Sequence, residues 1–203
     1  MKIKLIEIAV FFAFTAVVVL SLINFESDCQ GVRNACLRLH VIANSNSAED
    51  QALKLEVRDA VLQSGSSFLG TGKTKEEAET AVKNNIETLE NAAKQVIEEN
   101  GYDYSVKVTL GKSRFPTKTY GNYTLPAGEY DAVKVIIGSG EGKNWWCVMF
   151  PSLCLPAAQN TTDAKDVFNE DELKLIKSNP KYEIRFWIVE KIEKMKESLG
   201  EKK

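Results

Sequence analysis

The 203-residue sequence contains a single histidine, His40, and only four cysteines. One histidine cannot build a His-rich metal site, and a Ser-His or Cys-His catalytic arrangement would depend on that one position. The chain also lacks any run of clustered cations, since 26 Lys+Arg against 28 Asp+Glu leave a formal net charge of −2. Nucleic-acid binders need clustered Lys and Arg to displace counterions from phosphates. We therefore expect no nucleic acid as a partner.

The N-terminus carries the longest apolar run. Lys2 and Lys4 precede Ile8 to Ile23, a run that Thr15 and Ser21 alone interrupt. Its length lies between that of a signal peptide and that of a membrane-spanning helix, and its positive flank should stay inside. Residues 1–27 are therefore predicted to be a signal peptide or a signal anchor, with everything after about Glu26 translocated. No small-x-small cleavage site stands out, so cleaved and uncleaved forms both stay open.

Hydrophobic residues make up 44% of the whole chain, which is too many for a disordered protein. Alternating apolar residues predict a half-buried strand over 35–43, another over 104–110, and a pair of strands over 130–137 and 145–150 joined as an antiparallel hairpin. Helical spacing predicts helices from Ser47 to about Ser64 and from Thr74 to Asn100. The Pro-containing stretch 115–128 should pair at a sheet edge.

The order of these elements predicts an α+β domain with a single antiparallel or mixed sheet and helices on one face. The predicted divisions are a core extracytoplasmic domain over 28–155, a linker over 156–169 and a C-terminal amphipathic helical segment over 170–203. In that last segment Ile184, Trp187, Ile188, Ile192, Met195 and Leu199 fall on one helical face.

Two glycine-containing segments look like phosphate-binding loops but do not fit the pattern. Gly70 to Thr74 has Ser67 where the pattern needs its first Gly, and it follows a helix rather than a strand. Gly138 to Lys143 lacks the Ser or Thr after the Lys, which favours a flexible hairpin tip or a recognition loop. No nucleophile elbow or metalloprotease motif accompanies His40. We expect no catalytic residue, no metal and no cofactor.

The cysteines form two pairs with the same spacing, six residues between Cys29 and Cys36 and six between Cys147 and Cys154. This spacing is too long for the usual paired thiolates of a zinc site or for a redox CxxC. In an oxidising compartment disulfides are favoured, and four cysteines allow three pairings. A Cys147–Cys154 bond would close a small loop and contribute about 2–3 kcal/mol. A Cys29–Cys36 bond is the suggested second pair.

Trp145 and Trp146 are neighbours on a predicted strand and so face opposite sides of the sheet. One ring can fill the core. If no helix covers the second face, the other ring is exposed next to the glycine-rich loop, where Trp often anchors an interface.

Three segments together carry a family resemblance: Arg38 to Lys54 with Val57 to Val61, Phe115 to Gly121 with Leu125 to Tyr130, and Gly140 to Cys154. The Asn-Trp-Trp-Cys run at 144–147 and the Pro-Ala-Gly-Glu-Tyr run at 126–130 are the most specific parts. The chain resembles the stage II sporulation protein R family of endospore-forming bacteria, over roughly 37–155.

The resemblance implies a signalling ligand without catalysis of its own. Members are exported from the forespore into the space between the forespore and mother-cell membranes. There they are thought to activate a membrane-embedded aspartic protease, stage II sporulation protein GA, which processes pro-sigma-E. Cys147 and Cys154 match the family's C-terminal cysteine pair. If the N-terminal segment is uncleaved, the membrane is a further partner.

On this basis we expect the docking face to include the hairpin around Gly140, Gly142, Asn144, Trp145 and Trp146, together with Arg38 or His40. Two other functions stay open at this point. One is an exported hydrolase that uses His40 with a carboxylate or a thiol, and the other is a structural domain of the spore envelope.

Overall fold

The computed structural model describes residues 2–69, 74–153, 164–177 and 183–200. Its helices are α1 (Lys2–Ala35), α2 (Ala48–Leu69), α3 (Lys75–Asn84), α4 (Ile86–Glu99), α5 (Ala164–Val167), α6 (Glu170–Ile176) and α7 (Glu183–Gly200). Its strands are β1 (Leu37–Ile42), β2 (Val106–Phe115), β3 (Lys118–Tyr120), β4 (Tyr123–Leu125), β5 (Gly128–Ile137) and β6 (Asn144–Phe150). The predicted α+β class and the N-terminal apolar helix are confirmed.

The main sheet is mixed and has the strand order β2-β5-β1-β6. β1 runs parallel to β5 and antiparallel to β6, and β2 runs antiparallel to β5. The predicted β5–β6 hairpin is therefore wrong, because β1 lies between the two strands. The connection over 138–143 crosses the end of β1 instead of turning back on its own strand.

The connection over 138–143 is fixed to the residues that follow β1. The backbone N–H groups of Glu141 and Gly142 donate to the carbonyl oxygens of Asn44 (3.1 Å) and Ala43 (2.9 Å). The Lys143 N–H donates to the side chain of Asn46 (2.9 Å). The loop is thus an anchored crossover rather than the flexible hairpin tip that the sequence favoured.

The middle of the stretch 115–128 does not pair at the edge of the main sheet, contrary to the prediction, although its ends Phe115 and Gly128 pair with each other in β2 and β5. β3 and β4 pair with each other in a separate two-stranded sheet. Pro116 and Pro126 flank this small hairpin and cannot donate hydrogen bonds to a ladder. The hairpin instead lies over the main sheet, where Tyr120 reaches Arg38 with its hydroxyl (2.6 Å).

Both faces of the main sheet are covered. On the first, here called the α2–α4 face, Leu37, Leu39 and Val41 of β1 pack against helices α2, α3 and α4. The predicted half-buried strand is for this reason buried on both sides, and the helices are not confined to one face. Parallel neighbours and coverage on both sides go together in α/β-type sheets.

The second face, here called the α1 face, carries the alternate residues. Tyr130, Ala132 and Val148 pack there against the second half of α1 and against α5, α6 and α7. The side chains that share this core from the helices, and from the α5–α6 connection in the case of Phe168, are Phe25, Cys29, Val32, Ala164, Phe168, Leu175, Ile176, Phe186 and Val189.

The helices over 48–69 and 75–99 begin where the sequence predicted, but the first ends later than predicted and the second is interrupted. The hydroxyl of Ser47 accepts from the Asp50 backbone N–H (3.1 Å), and that of Thr74 accepts from the Glu77 N–H (3.2 Å). α2 continues past Gly65 to Leu69, because Gly65 packs on Met149 inside the core (3.0 Å from an added Cβ). The helix predicted over 74–100 is broken at Asn85 into α3 and α4.

α1 is one continuous helix that passes through the predicted division between residues 27 and 28. Among the described residues, its stretch Lys4–Ala35 is long and apolar enough to cross a membrane, and none of its most apolar window is buried. α5 lies within the predicted linker 156–169. Residues 154–163 of that region are outside the described part of the chain, so the linker stays a prediction.

Candidate functional site

A cavity of about 400 Å³ opens on the α1 face of the sheet, between β1, β2, β6 and helix α7. We call it the His40 cavity. Its lining residues are His40, Ser113, Arg114, Phe115, Pro116, Ala127, Gly128, Asn144, Trp146, Glu190, Glu193 and Lys194.

His40 is the polar centre of this cavity and is only 8% exposed. Its Nδ1 lies 2.9 Å from the hydroxyl of Ser113 on β2, and its Nε2 lies 2.7 Å from Oδ1 of Asn144 on β6. The alternation of side chains along each strand turns all three residues to the same face. Three strands thus bring together residues that are distant in sequence.

The hydrogen bonds fix how the imidazole carries its proton. An amide oxygen can only accept, so Nε2 carries the hydrogen and donates to Asn144, which leaves Nδ1 to accept from the Ser113 hydroxyl. Burial lowers the pKa of His40 below its usual value, and the nearby cation of Lys134 acts in the same direction. The ring is therefore neutral near pH 7 and holds Ser113 as a hydrogen-bond donor.

Aromatic rings form the walls around His40. The indole of Trp146 stacks on the imidazole with a centroid distance of 6.1 Å, and Phe115 approaches it edge-on at 5.8 Å. Trp146 is half-buried, and its Nε1–H has no hydrogen-bond partner. The site offers an incoming group flat apolar surfaces and a neutral polar floor, while the unpaired indole N–H is itself buried.

Arg38 does not reach the cavity, contrary to its predicted place on the docking face. It is fully buried and donates through Nε to the carbonyl of Cys147 (2.8 Å) and through Nη2 to the Tyr120 hydroxyl (2.6 Å). Its guanidinium stacks over the rings of Phe115 (4.2 Å) and Tyr130 (4.7 Å). Its contacts are those of a structural cation that fixes the β3–β4 hairpin and β6.

Of the remaining predicted docking residues, only Asn144 and Trp146 line the cavity with His40. Trp145 lies on the α2–α4 face, where its ring is covered by Arg58 (4.4 Å), so neither tryptophan is fully exposed. Gly140 and Gly142 belong to the anchored crossover. A Cβ on Gly142 would meet the Ser45 carbonyl oxygen at 2.2 Å, so close packing at this position requires glycine.

The cysteines separate into two cases. Cys29 and Cys36 are free, buried thiols, so the suggested second disulfide is not formed. Seven helical positions place their Cα atoms about 10 Å apart, beyond the reach of a disulfide. Burial raises the pKa of each thiol to about 12. Cys154 lies outside the described residues, and its pairing with Cys147 stays a prediction.

Within the described ranges, no group of three or more His, Cys, Asp and Glu side chains is arranged to hold a metal ion. His40 instead contacts neutral partners, a hydroxyl and an amide. A neutral imidazole that accepts from a serine hydroxyl is also the arrangement from which a general base would act.

Sequence reasoning did not find Ser113, Phe115 or the residues of α7 in this site. The predicted strand stopped at Leu110, whereas β2 continues to Phe115. The apolar alternation of Val106, Val108 and Leu110 ends there, because Lys112 and Arg114 follow on the same phase. The approach of Glu190 and Lys194 depends on how α7 packs, which no local pattern in the sequence gives.

Comparison with known proteins shows which family this chain resembles. The family described as stage II sporulation protein R matches residues 33–160, a range that holds most of the cavity. Stage II sporulation protein R of Bacillus subtilis (strain 168) is 36% identical over 143 residues, 70% of this chain and 64% of that relative. The aligned part thus spans less than two thirds of the relative.

No solved structure matches the chain. The family match covers more than half of the sequence and includes the strands that carry His40, Ser113 and Trp146. The chain belongs to the stage II sporulation protein R family, and its role is in sporulation.

Proposed function

We propose that this protein is an exported signalling ligand that activates a membrane-embedded aspartic protease, stage II sporulation protein GA, and so triggers processing of pro-sigma-E. It would act in the space between the forespore and mother-cell membranes. Family membership supports the sporulation role. The apolar stretch of α1, which is suited to an export signal or an anchor, supports the location.

The His40 cavity carries the proposal for how the ligand docks. It is open to solvent on the translocated domain, and its aromatic walls and neutral polar floor suit a peptide segment better than a charged small molecule. Trp146 supplies the residue type that most often anchors an interface, and its half-buried ring forms one wall of the cavity.

Binding at this cavity would activate the protease by shifting its equilibrium. A ligand favours an active assembly only if it binds that assembly more tightly than the inactive one. A docked segment of the extracytoplasmic part of the protease would fill the cavity between Trp146 and α7 in the active assembly alone.

The adjacent tryptophans provide a matched test. Trp146→Ala should abolish sigma-E processing and co-purification with the extracytoplasmic part of the protease. Trp145→Ala, on the opposite face, removes an equally half-buried ring and should preserve both. The thermal unfolding temperatures of the two variants identify any loss of fold. Normal processing by folded Trp146→Ala, or equal loss in both variants at equal stability, would refute docking at the cavity.

A second candidate function is favoured by the hydrogen bond between His40 Nδ1 and Ser113 Oγ (2.9 Å). The hydrolase expected from the sequence would use His40 with a carboxylate or a thiol, whereas the residue that His40 contacts is a serine. In this alternative His40 takes the hydroxyl proton while Ser113 Oγ attacks a carbonyl carbon, and the proton then passes to the leaving group as its bond to that carbon breaks. Water would afterwards hydrolyse the acyl group from Ser113.

Ser113→Ala separates the two functions. A fluorophosphonate probe, which a nucleophilic serine attacks with release of fluoride, would label the native protein and not Ser113→Ala if the site is hydrolytic. For a docking cavity we expect no labelling at Ser113 and retained sigma-E processing in Ser113→Ala, because the change removes one oxygen and leaves the aromatic walls in place.

A further inference from the structure

Helix α7 has an apolar face that the described part of the domain leaves exposed. Its buried side carries Phe186 and Val189, which are 6% and 5% exposed. On the other side Trp187 is 59% exposed, Met195 58% and Ile192 40%. Outside α1, these three are the exposed large hydrophobic side chains of the described residues. Apolar side chains grouped on one helix face mark a contact surface.

The position of α7 identifies what covers this face. Phe186 packs edge-on against Phe25 with ring centroids 5.7 Å apart. Phe25 lies two residues after Ile23, the last residue of the apolar run of α1. Trp187 follows Phe186 directly, so the exposed face begins at the height where α1 would leave a membrane.

A second contact places α6 beside the outer part of the apolar run of α1. Asp171, Lys174 and Leu175 of α6 line a cavity together with Val17 and Leu20 of α1. Both of these α1 residues lie inside the apolar run. The domain is therefore not joined to the apolar run by a free linker alone, because α6 packs beside residues of α1 that belong to that run.

The composition of the face fits a lipid interface better than a dry protein core. Trp is enriched at the boundary between headgroups and acyl chains, where its ring is half in an apolar medium. The ammonium of Lys191 lies 5.5 Å over the Trp187 ring, and its long stem can extend toward headgroups while the ring enters the bilayer. An amphipathic helix lying in the interface presents this combination.

We infer that α7 lies in the outer interface of the membrane that α1 crosses, with Trp187, Ile192 and Met195 inserted among the lipids. This inference rests on the proposed export of the domain and on α1 staying attached to it as an uncleaved anchor. The contact would hold the domain at a fixed height and orientation, with the His40 cavity, which Glu190 and Lys194 of the same helix line, facing along the membrane surface.

The test uses the full chain reconstituted into phosphatidylcholine vesicles whose acyl chains are brominated, since bromine quenches tryptophan emission at contact. The chain contains three tryptophans, so the emission of Trp187 is taken as the difference between the native protein and Trp187→Phe. We expect Trp187 to lose most of its emission relative to unbrominated vesicles. The matched difference for Trp145→Phe should lose little, because that ring is covered by Arg58.

The outcomes are separated by flotation of the same vesicles. A chain that floats with the vesicles but keeps the Trp187 emission unquenched would overturn the inference and leave the anchor standing. A chain that does not float would overturn both. A Trp187 signal that is blue-shifted but unquenched, with cross-linked dimers, would show that a second copy of the chain covers the face and would also overturn the inference.

Discussion

Arg38 is a buried cation whose described partners are neutral groups. It donates to the Cys147 carbonyl and the Tyr120 hydroxyl, stacks on Phe115 and Tyr130, and leaves Nη1 without a partner. A planar guanidinium can stack on aromatic rings and donate two hydrogen bonds in its plane at the same time, whereas the ammonium of a lysine cannot. The residue thus joins the β3–β4 hairpin to β6 through shape as well as charge.

Replacement of Arg38 should therefore be costly even when the charge is kept. Arg38→Met leaves the buried Cys147 carbonyl without this donor and should cost about 1–3 kcal/mol of unfolding free energy. Arg38→Lys should cost at least as much, because it buries an ammonium with fewer hydrogen bonds. Urea denaturation followed by circular dichroism measures both values. A lysine variant as stable as the native protein would contradict this account of the guanidinium.

Asp131 makes stability depend on pH at the acidic end. Burial alone would raise its pKa, but hydrogen bonds and charge from Lys112 and Lys75 hold the pKa below the ordinary value of 3.8. A carboxyl with a lowered folded-state pKa stabilises fully above its unfolded value, and this contribution is lost as pH falls through the folded value.

We expect the difference in unfolding free energy between the native protein and Asp131→Asn to be largest near pH 6 and to shrink below about pH 4. Denaturant titrations at a series of pH values measure it. Glu129→Gln, an exposed neighbour on the same strand, is the matched control and should show a smaller difference. A constant offset for Asp131→Asn at every pH would mean that the lysine partners do not stabilise its charged form.

The sequence predicted part of the candidate site, and the limit has a physical cause. The predicted docking face included His40 because it is the single histidine of the chain. It included Asn144 and Trp146 because they belong to the segment with two adjacent tryptophans. Arg38 was placed on the docking face because alternation assigns it to the same face as His40. Alternation cannot tell which side chains on one face are covered, and the β3–β4 hairpin covers Arg38 through Tyr120.

At the scale of elements, strands and helices were predictable and their neighbours were not. Tyr130 to Ile137 and Asn144 to Phe150 are each strand-like, and a short glycine-rich connection usually makes a hairpin. The crossover over β1 is decided by hydrogen bonds from the loop to Ala43, Asn44 and Asn46, residues far away in sequence. Such partners leave no periodic pattern in the loop itself.

The crossover predicts a contrast between two glycines. A Cβ on Gly142 would meet the Ser45 carbonyl at 2.2 Å, whereas a Cβ on Gly111 meets nothing within 4 Å. Gly142→Ala should lose about 1–3 kcal/mol of unfolding free energy through backbone displacement. Gly111→Ala should be neutral or slightly stabilising, since Gly weakens a strand. Thermal unfolding compares them, and a stable Gly142→Ala would argue for a mobile loop.

At the scale of the whole molecule, the sequence predicted an apolar N-terminal helix and an α+β fold, and it placed the division between them by composition. Composition changes at Asn24, where the apolar run ends. Packing does not change there, because α1 continues to Ala35 and buries Phe25, Cys29 and Val32 against the α1 face of the sheet. The helix that is suited to the membrane is therefore also a core helix of the domain.

This double role of α1 predicts where the chain can be shortened. A protein starting at Asn24 keeps the buried side chains of α1 and should fold as a stable domain without the apolar run. A protein starting at Leu37 loses Phe25, Cys29, Val32 and Cys36, and each large apolar side chain among them contributes about 1.5–3 kcal/mol when buried. That loss is a large part of the 5–15 kcal/mol that usually stabilises a domain.

We expect the shorter protein to unfold at a much lower temperature or to bind a hydrophobic dye through its uncovered α1 face. Thermal unfolding and dye fluorescence of the two truncated proteins measure this difference. Val32→Asp in the longer protein should reproduce the loss, because it buries an unpaired carboxylate, while Asn34→Asp at an exposed position of the same helix should not. Equal stability of the two truncated proteins would mean that the domain begins at β1, and that α1 serves only the membrane.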